Sequence, residues 1–120
     1  MSEQKAVRIY HNPRCSTSRT VLGHIRDAGI EPEVVEYLKT GWTRAVLDDI
    51  LARGRLGPKD ILRRKEPLVQ EKRLGTATDE AILKAMIADP VLVERPIVVT
   101  PRGTVVCRPA ERVFEVIDRP

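Results

Sequence analysis

Cysteine is scarce in this sequence, and no apolar run is long enough to cross a membrane. The two cysteines, Cys15 and Cys107, are too few for a disulfide framework and too far apart for a zinc ligand set. Residues 1–6 are too polar for a signal peptide. We therefore expect a cytoplasmic protein with reduced thiols and no membrane partner.

Aromatic residues are also rare, at 3% of the chain, and there is no long basic block. Both features argue against nucleic-acid binding, although the net charge is +4. Neither histidine has a second ligand at a metal-binding spacing, so no metal or organic cofactor is expected. The modest positive charge indicates an affinity for anionic ligands.

The hydrophobic pattern predicts a single α/β domain over residues 1–120, since 42% hydrophobic content is enough for one core. Residues 7–10 favour a strand, a helical pattern runs from Ser16 to Gly29, and residues 33–38 favour a second strand. These elements form a βαβ unit with parallel strands.

The rest of the chain is predicted to contain a helical insert followed by a ββα unit. The insert covers about residues 43–90, with helices beginning at Thr43, Pro58 and Thr78. The third of these helices is expected to turn Ile87 inward. Residues 97–100 and 104–107 favour a hairpin, and Pro109 opens a last helix.

Cys15 is the strongest candidate for chemistry, because it lies between the first strand and the first helix. The free amides of a helix N-terminus favour a thiolate over a thiol, and the nearby Arg14 and Arg19 would add to the effect. A buried structural cysteine is the alternative. The polar neighbours of Cys15 argue against that alternative.

The residues around Cys15 narrow the type of thiol chemistry. Ser18 stands where a Cys-x-x-Cys site would have its second cysteine, so no local disulfide can form. Val21 stands where a Cys-x5-Arg phosphatase would have its arginine. The remaining candidate is a monothiol nucleophile, with the hydroxyls and amides of Ser16, Thr17 and Ser18 facing an incoming anion.

The two histidines and the second cysteine have less distinctive surroundings. His11 is either a local hydrogen-bonding residue or a general base, and its expected role is to shape the loop and tune the thiol. His24 is expected to be solvated. Cys107 is interpreted as a structural residue on a strand, with a cross-link to Cys15 as the lesser alternative.

Three arginines stand out from the surface charges by their positions. Arg95 and Arg108 each precede a proline at a strand boundary, and Arg63 ends a short apolar helix pattern. A guanidinium fixed at such a boundary is suited to holding an oxyanion. Arg64 follows directly, so the choice between Arg63 and Arg64 stays open, with Arg63 preferred because it follows an apolar pair.

Several ordered motifs occur along nearly the whole chain. They are Ile9-Tyr10-His11-Asn12-Pro13-Arg14-Cys15-Ser16-Thr17-Ser18-Arg19, Gly29-Ile30-Glu31-Pro32, Tyr37-Leu38, Ile61-Leu62-Arg63, Glu94-Arg95-Pro96-Ile97-Val98-Val99 and Cys107-Arg108-Pro109. Together these motifs resemble the glutaredoxin-coupled arsenate reductase family, in particular its compact members. The resemblance implies a thioredoxin-like fold with a helical insert between its two halves. It also implies a cis Pro96 that carries Arg95 to the cysteine loop.

The resemblance further implies a function and roles for the site residues. Cys15 would attack arsenate, with glutathione as co-substrate and a glutaredoxin completing the reduction to arsenite. His11 and Ser18 would tune or contact the thiolate. The oxyanion site would consist of Arg63, Arg95 and Arg108, in addition to Ser16 and Thr17.

Two other functions are compatible with the same motifs. The first is a non-enzymatic regulator similar to Spx-type proteins, which bind RNA polymerase, although Ser18 removes the cysteine switch common among them. The second is a general thiol-transfer protein acting on glutathionylated substrates, which would need Cys15 but little from the three arginines. Phosphate is so similar to arsenate that the residues do not define the selectivity between them.

Overall fold

A four-stranded mixed sheet forms the framework that positions Cys15. The computed structural model describes residues 6–120. Most of the N-terminal segment that is too polar for a signal peptide, residues 1–6, therefore lies outside the described residues. The strands are β1 (Arg8–His11), β2 (Glu33–Glu36), β3 (Ile97–Thr100) and β4 (Gly103–Val106), in the order β2-β1-β3-β4. The β1–β2 pair is parallel and the other two pairs are antiparallel, which confirms the predicted βαβ unit and hairpin.

Helix α1 (Ser16–Asp27) and a closing 3₁₀ helix (Ala110–Glu115) pack against the sheet and form a hydrophobic core with it. Val21 and Ile25 are fully buried because they lie one helical turn apart on the same face. The chain leaves the helix through Gly29, two residues after its last helical residue, and the φ of 83° at Gly29 is the left-handed conformation that glycine adopts at low cost. The buried cluster around them contains Val7, Ile9, Val21, Ile25, Val98, Val105, Cys107, Val113, Val116 and Ile117.

The chain contacts define two compact units, of which the first contains the described residues up to Tyr37 together with Arg95–Pro120. The second unit, Leu38–Glu94, is helical and encloses the segment predicted as an insert. The α helices are α2 (Tyr37–Thr40), which spans the boundary, α3 (Arg44–Gly54), α4 (Pro67–Glu71) and α5 (Asp79–Ala88). Short 3₁₀ turns cover Pro58–Ile61, Leu74–Thr76 and Pro90–Leu92.

Hydrogen-bonded caps begin the two longer helices of the second unit, as the sequence predicts. The hydroxyl of Thr43 accepts a bond from the amide of Val46, and the hydroxyl of Thr78 accepts one from the amide of Ala81, both at 3.2 Å. Each bond satisfies a donor that would otherwise have no partner within the helix. Together these elements and the sheet confirm the α/β, thioredoxin-like architecture with an intervening helical segment.

Several predicted boundaries are wrong. The second strand ends at Glu36, and the residues that follow it turn into helix α2. Ile87 is 39% exposed because it lies at the edge of the α5 stripe that buries Ile82, Leu83 and Met86. The last helix is a 3₁₀ helix of six residues that begins after Pro109. Within residues 6–120, no helix has both the length and the apolar character of a membrane span.

Candidate active site

Cys15 is the N-cap residue of helix α1, at the end of a tight turn that leaves strand β1. Its amide donates to the carbonyl oxygen of Asn12 at 3.0 Å, and its own carbonyl accepts the first helical bond from the amide of Arg19, also at 3.0 Å. The side chain of Asn12 accepts a further bond from the amide of Arg14. The thiol is half-buried and free, and the turn holds it at the end of the helix.

The surroundings of Cys15 lower the pKa of its thiol below the ordinary value. Partial burial opposes the shift by raising the pKa, but three groups outweigh it. The backbone amide of Ser18 donates to the sulfur, the guanidinium of Arg95 contributes its charge and a hydrogen bond, and the amide of Thr17 also donates. The thiolate is therefore stabilised by the start of the helix and by one cation.

His11 and Ser18 form a buried pair next to this turn. The hydroxyl of Ser18 lies 2.7 Å from Nδ1 of His11, and it accepts a bond from the amide of Asn12 at 3.1 Å. Burial lowers the pKa of His11, and the charge of Glu36 partly offsets this while those of Arg26 and Arg19 add to it. The neutral form of His11 is consequently favoured over the charged form.

Of the three hydroxyls expected to face an anion, that of Ser18 is fully buried and engaged with His11. The backbone amide of Ser18 serves the thiolate instead. Ser16 is exposed and Thr17 is half-buried, so their side chains remain accessible at the start of α1. The N-terminal end of the helix thus presents amides to the sulfur and two accessible hydroxyl residues to the solvent.

Arg95 and Arg108 lie together in the unit that holds Cys15. Nη1 of Arg108 donates to the carbonyl oxygen of Arg95 at 3.2 Å, while the guanidinium of Arg95 reaches Cys15. The Arg95–Pro96 peptide bond is cis, as the resemblance implies, and the Arg108–Pro109 bond is also cis, which no local feature of the sequence indicates. Of the three selected arginines, Arg95 therefore reaches the thiol, and Arg108 is bonded to the backbone of Arg95.

Arg63 lies in the second unit, and its local environment differs from the one predicted. The 3₁₀ turn ends at Ile61, and Arg63 follows a bridge between Leu62 and Val93, with its amide bonded to the carbonyl of Leu92 at 2.8 Å. The prediction that it ends a helix is wrong, because Leu62 already pairs as extended backbone. Its Nη1 lies 3.5 Å from the carboxylate of Glu66.

The environments of Arg63 and Arg64 also differ in burial. Nε of Arg63 is buried and has no hydrogen-bond partner among the described residues, whereas Arg64 is exposed with its guanidinium beside Gly75. A buried N–H without a partner is uncommon in folded proteins, and it is free to donate to a ligand. This difference favours Arg63 over its neighbour as an anion ligand.

Two residues outside the site have clear structural roles. Cys107 lies one residue beyond β4, and burial raises the pKa of its thiol to about 12, which is consistent with a packing role. His24 was expected to be solvated, but its ring packs at 5.1 Å from the ring of Phe114. The reason is that α1 lies against the closing 3₁₀ helix, so this part of its polar face is covered.

Sequence reasoning did not identify Asn12 as part of the site, although it makes three of the bonds that shape the turn. The sequence does contain an indication of this role, because asparagine before proline favours a turn that the asparagine side chain closes. Among residues 6–120, no group of three metal-ligating side chains comes together.

The chain is similar to known proteins over most of its length. The profile of the ArsC family matches residues 10–116. "Arsenate reductase ArsI1" of Synechocystis sp. is 47% identical, covering 98% of this chain and 83% of that protein. "Uncharacterized protein YfgD" of Escherichia coli is 43% identical, covering 94% and 98%. The solved "Arsenate reductase from Vibrio cholerae" has a TM-score of 0.88 and 38% identity, covering 92% and 97%.

Proposed function

The chain belongs to the ArsC family, and we propose that it is an oxidoreductase that reduces arsenate to arsenite with Cys15 as the nucleophile. Glutathione is the co-substrate and a glutaredoxin is the protein partner. The observation that carries the proposal is the stabilised thiol of Cys15, which receives the amides of Ser18 and Thr17 and the guanidinium of Arg95. A nucleophilic thiolate next to a fixed cation is suited to attack on an anionic oxyacid.

The first step is attack of the Cys15 thiolate on the arsenic atom of arsenate. A sulfur–arsenic bond forms, one arsenic–oxygen bond breaks, and the oxygen leaves as water after protonation. Arg95 contributes positive charge where the arsenate oxygens approach, and Arg108 lies beside it. Family likeness assigns Arg63 to the same oxyanion. Its buried Nε, which has no hydrogen-bond partner among the described residues, is available to donate to a ligand.

The electrons come from outside the chain, because Ser18 occupies the position of a second cysteine. Glutathione adds to the arsenic and displaces a second oxygen as water. A glutaredoxin thiol then attacks the glutathione sulfur, which forms a mixed disulfide and leaves two electrons on arsenic. Hydrolysis of the remaining sulfur–arsenic bond releases arsenite and regenerates Cys15.

The other residues of the site have supporting roles in this proposal. His11 and Ser18 tune the thiolate by fixing the turn, and Ser16 and Thr17 contribute to oxyanion binding at the start of α1. The protein works as a single cytoplasmic domain, over residues 1–120, without a bound cofactor, nucleic acid or membrane.

The test is turnover of arsenate by the purified protein in the presence of glutathione and a glutaredoxin, followed as arsenite formed. Wild type and Cys107→Ser are expected to turn over at similar rates, whereas Cys15→Ser is expected to be inactive. Cys107→Ser is the matched control because its thiol is buried and outside the proposed site. Loss of activity in both variants would contradict the proposal that Cys15 is the only cysteine required for catalysis.

The same purified protein distinguishes the proposed reductase from the two other candidate functions. A general thiol-transfer protein would release glutathione from a glutathionylated peptide without forming arsenite, and it would tolerate Arg95→Ala. A regulator similar to Spx-type proteins would show no turnover and would bind purified RNA polymerase. Either result would overturn the reductase proposal.

A further inference from the structure

Arg19 ties the side of helix α1 to the turn that carries Cys15. Its Nη1 donates to the carbonyl oxygen of Pro13 at 2.9 Å. We propose that Arg19 is a positioning residue, which holds the Cys15 turn in the form that stabilises the thiolate. The inference concerns the same site as the proposed reductase activity and rests on Cys15 being its nucleophile.

The bond from Arg19 prevents the Pro13 carbonyl group from rotating towards the sulfur of Cys15. Two of the bonds in this turn, from Arg14 to Asn12 and from Cys15 to Asn12, are local to the turn itself. The Pro13 carbonyl is held by a helix side chain instead. A carbonyl oxygen rotated towards the sulfur would place negative charge next to the thiolate and raise its pKa.

A second attachment fixes the beginning of the same turn. The amide of Asn12 donates to the hydroxyl of Ser18 at 3.1 Å. Ser18 and Arg19 are consecutive residues in the first turn of α1, so the helix holds the backbone of two consecutive residues of the cysteine turn, Asn12 and Pro13. Loss of either attachment would loosen the alignment of the helix amides with the sulfur.

The charge of Arg19 acts on His11 as well. With Arg26 on the same helix, it lowers the pKa of His11, against Glu36 on β2, which raises it. A neutral His11 shares its Nδ1 with the Ser18 hydroxyl in either tautomer. Arg19 therefore acts on the turn directly, through Pro13, and indirectly, through the His11–Ser18 pair.

Arg26 offers a matched control because it shares only one of these two effects. It acts on the charge balance of His11, but its guanidinium pairs with Glu31 at 2.9 Å and has no bond to the cysteine turn. A comparison of Arg19→Met with Arg26→Met therefore separates loss of the bond from loss of a positive charge. Arg19→Lys keeps the charge but lacks the planar fork.

The experiment measures the pKa of Cys15 by ultraviolet thiolate absorbance and its rate of alkylation by iodoacetamide. In Arg19→Met we expect the pKa to rise by roughly half a unit to one unit and alkylation near neutral pH to slow about three- to tenfold. Arg26→Met removes only the charge on His11, so it should shift the pKa of Cys15 much less than Arg19→Met does. Arg19→Lys should fall between wild type and Arg19→Met. Far-ultraviolet circular dichroism and urea unfolding monitor the fold.

Two outcomes would overturn the inference. One is a wild-type pKa in Arg19→Met, even if the variant is less stable, because stability alone would reflect a structural role. The other is an equal shift in Arg26→Met, which would assign the effect to charge at a distance. None of these readouts requires arsenate, so an inactive wild type would remove the proposed function and leave the positioning role standing.

Discussion

The hydroxyl of Ser18 lies 2.7 Å from Nδ1 of His11, deep in the unit that holds Cys15. Both residues are buried, and the same hydroxyl oxygen accepts the amide of Asn12. One side chain on α1 thus satisfies a polar group from the end of β1 and another from the cysteine turn. Three elements that meet at the thiol are fixed by a single oxygen atom.

Ser18→Ala should therefore destabilise the protein. The substitution leaves Nδ1 of the buried His11 and the amide of Asn12 without their partner, and each such loss costs about 1–3 kcal/mol. Because two groups lose their partner, urea unfolding should report a loss of at least about 1–3 kcal/mol. Ser16→Ala is the control, since Ser16 is exposed and should change stability by less than about 0.5 kcal/mol. Equal losses in both variants would show that the buried hydroxyl has no special role.

The pKa of His11 gives a pH dependence of stability with a definite sign. The folded pKa is lowered by burial, so the unfolded chain takes up a proton first as the pH falls. The contribution of neutral His11 is complete above about pH 6.5 and is lost as the pH drops through the folded pKa. In urea titrations at several pH values, wild type should lose more stability than His11→Gln on acidification. If the stability of wild type and of His11→Gln fell in parallel with pH, the proposed contribution of neutral His11 would be contradicted.

The two cysteines should differ sharply in reactivity. Cys15 has a lowered pKa and is half-buried, whereas Cys107 is fully buried with a pKa of about 12. At pH 7 a thiol of that pKa is ionised to only about one part in 10⁵. Mass spectrometry after brief iodoacetamide treatment should find the label on Cys15 alone in the native protein and on both thiols in urea. Rapid native labelling of Cys107 would contradict the assignment.

Arg95→Ala should impair arsenate reduction much more than Arg53→Ala. Arg95 reaches the Cys15 sulfur and stabilises the thiolate, whereas Arg53 is exposed on α3 and paired with Asp49 at 2.9 Å. Loss of one fixed donor at a developing negative charge costs roughly 10²- to 10³-fold in rate. The pKa of Cys15 should rise in Arg95→Ala only. Steady-state kinetics and thiol titration of both variants check this, and equal effects would remove the special role of Arg95.

The sequence predicts the strands and helices that surround Cys15 because their signals are local. Val21 and Ile25 share a helical face, Gly29 ends the helix, and Thr43 and Thr78 cap theirs. Each of these features depends on neighbours within one or two turns. Ordered motifs additionally identify the family, and thereby the fold.

The relationships between distant residues are harder to predict from the sequence. Nothing in the local pattern indicates that Arg108 bonds to the carbonyl of Arg95, or that Arg19 holds Pro13. Tyr37 favours a strand by residue type, yet it starts a helix and is 1% exposed, because tertiary packing outweighs a weak β preference. Resemblance can select the arginines, but it leaves their bonding partners undefined.

Arg63 and Arg64 are neighbours in sequence, and substitution of each in turn should show which one binds the oxyanion. Nε of Arg63 is buried without a partner among the described residues, while Arg64 is exposed beside Gly75. A bound oxyanion would satisfy the buried donor, and a charge-assisted hydrogen bond of this kind is worth about 1.5–3 kcal/mol. Arg63→Ala should therefore lower kcat/KM for arsenate about tenfold or more, whereas Arg64→Ala should stay within about twofold. Inhibition by sulfate provides a second measurement, since weaker inhibition of Arg63→Ala alone would indicate a lost anion contact. A larger defect in Arg64→Ala would transfer the role to the exposed residue.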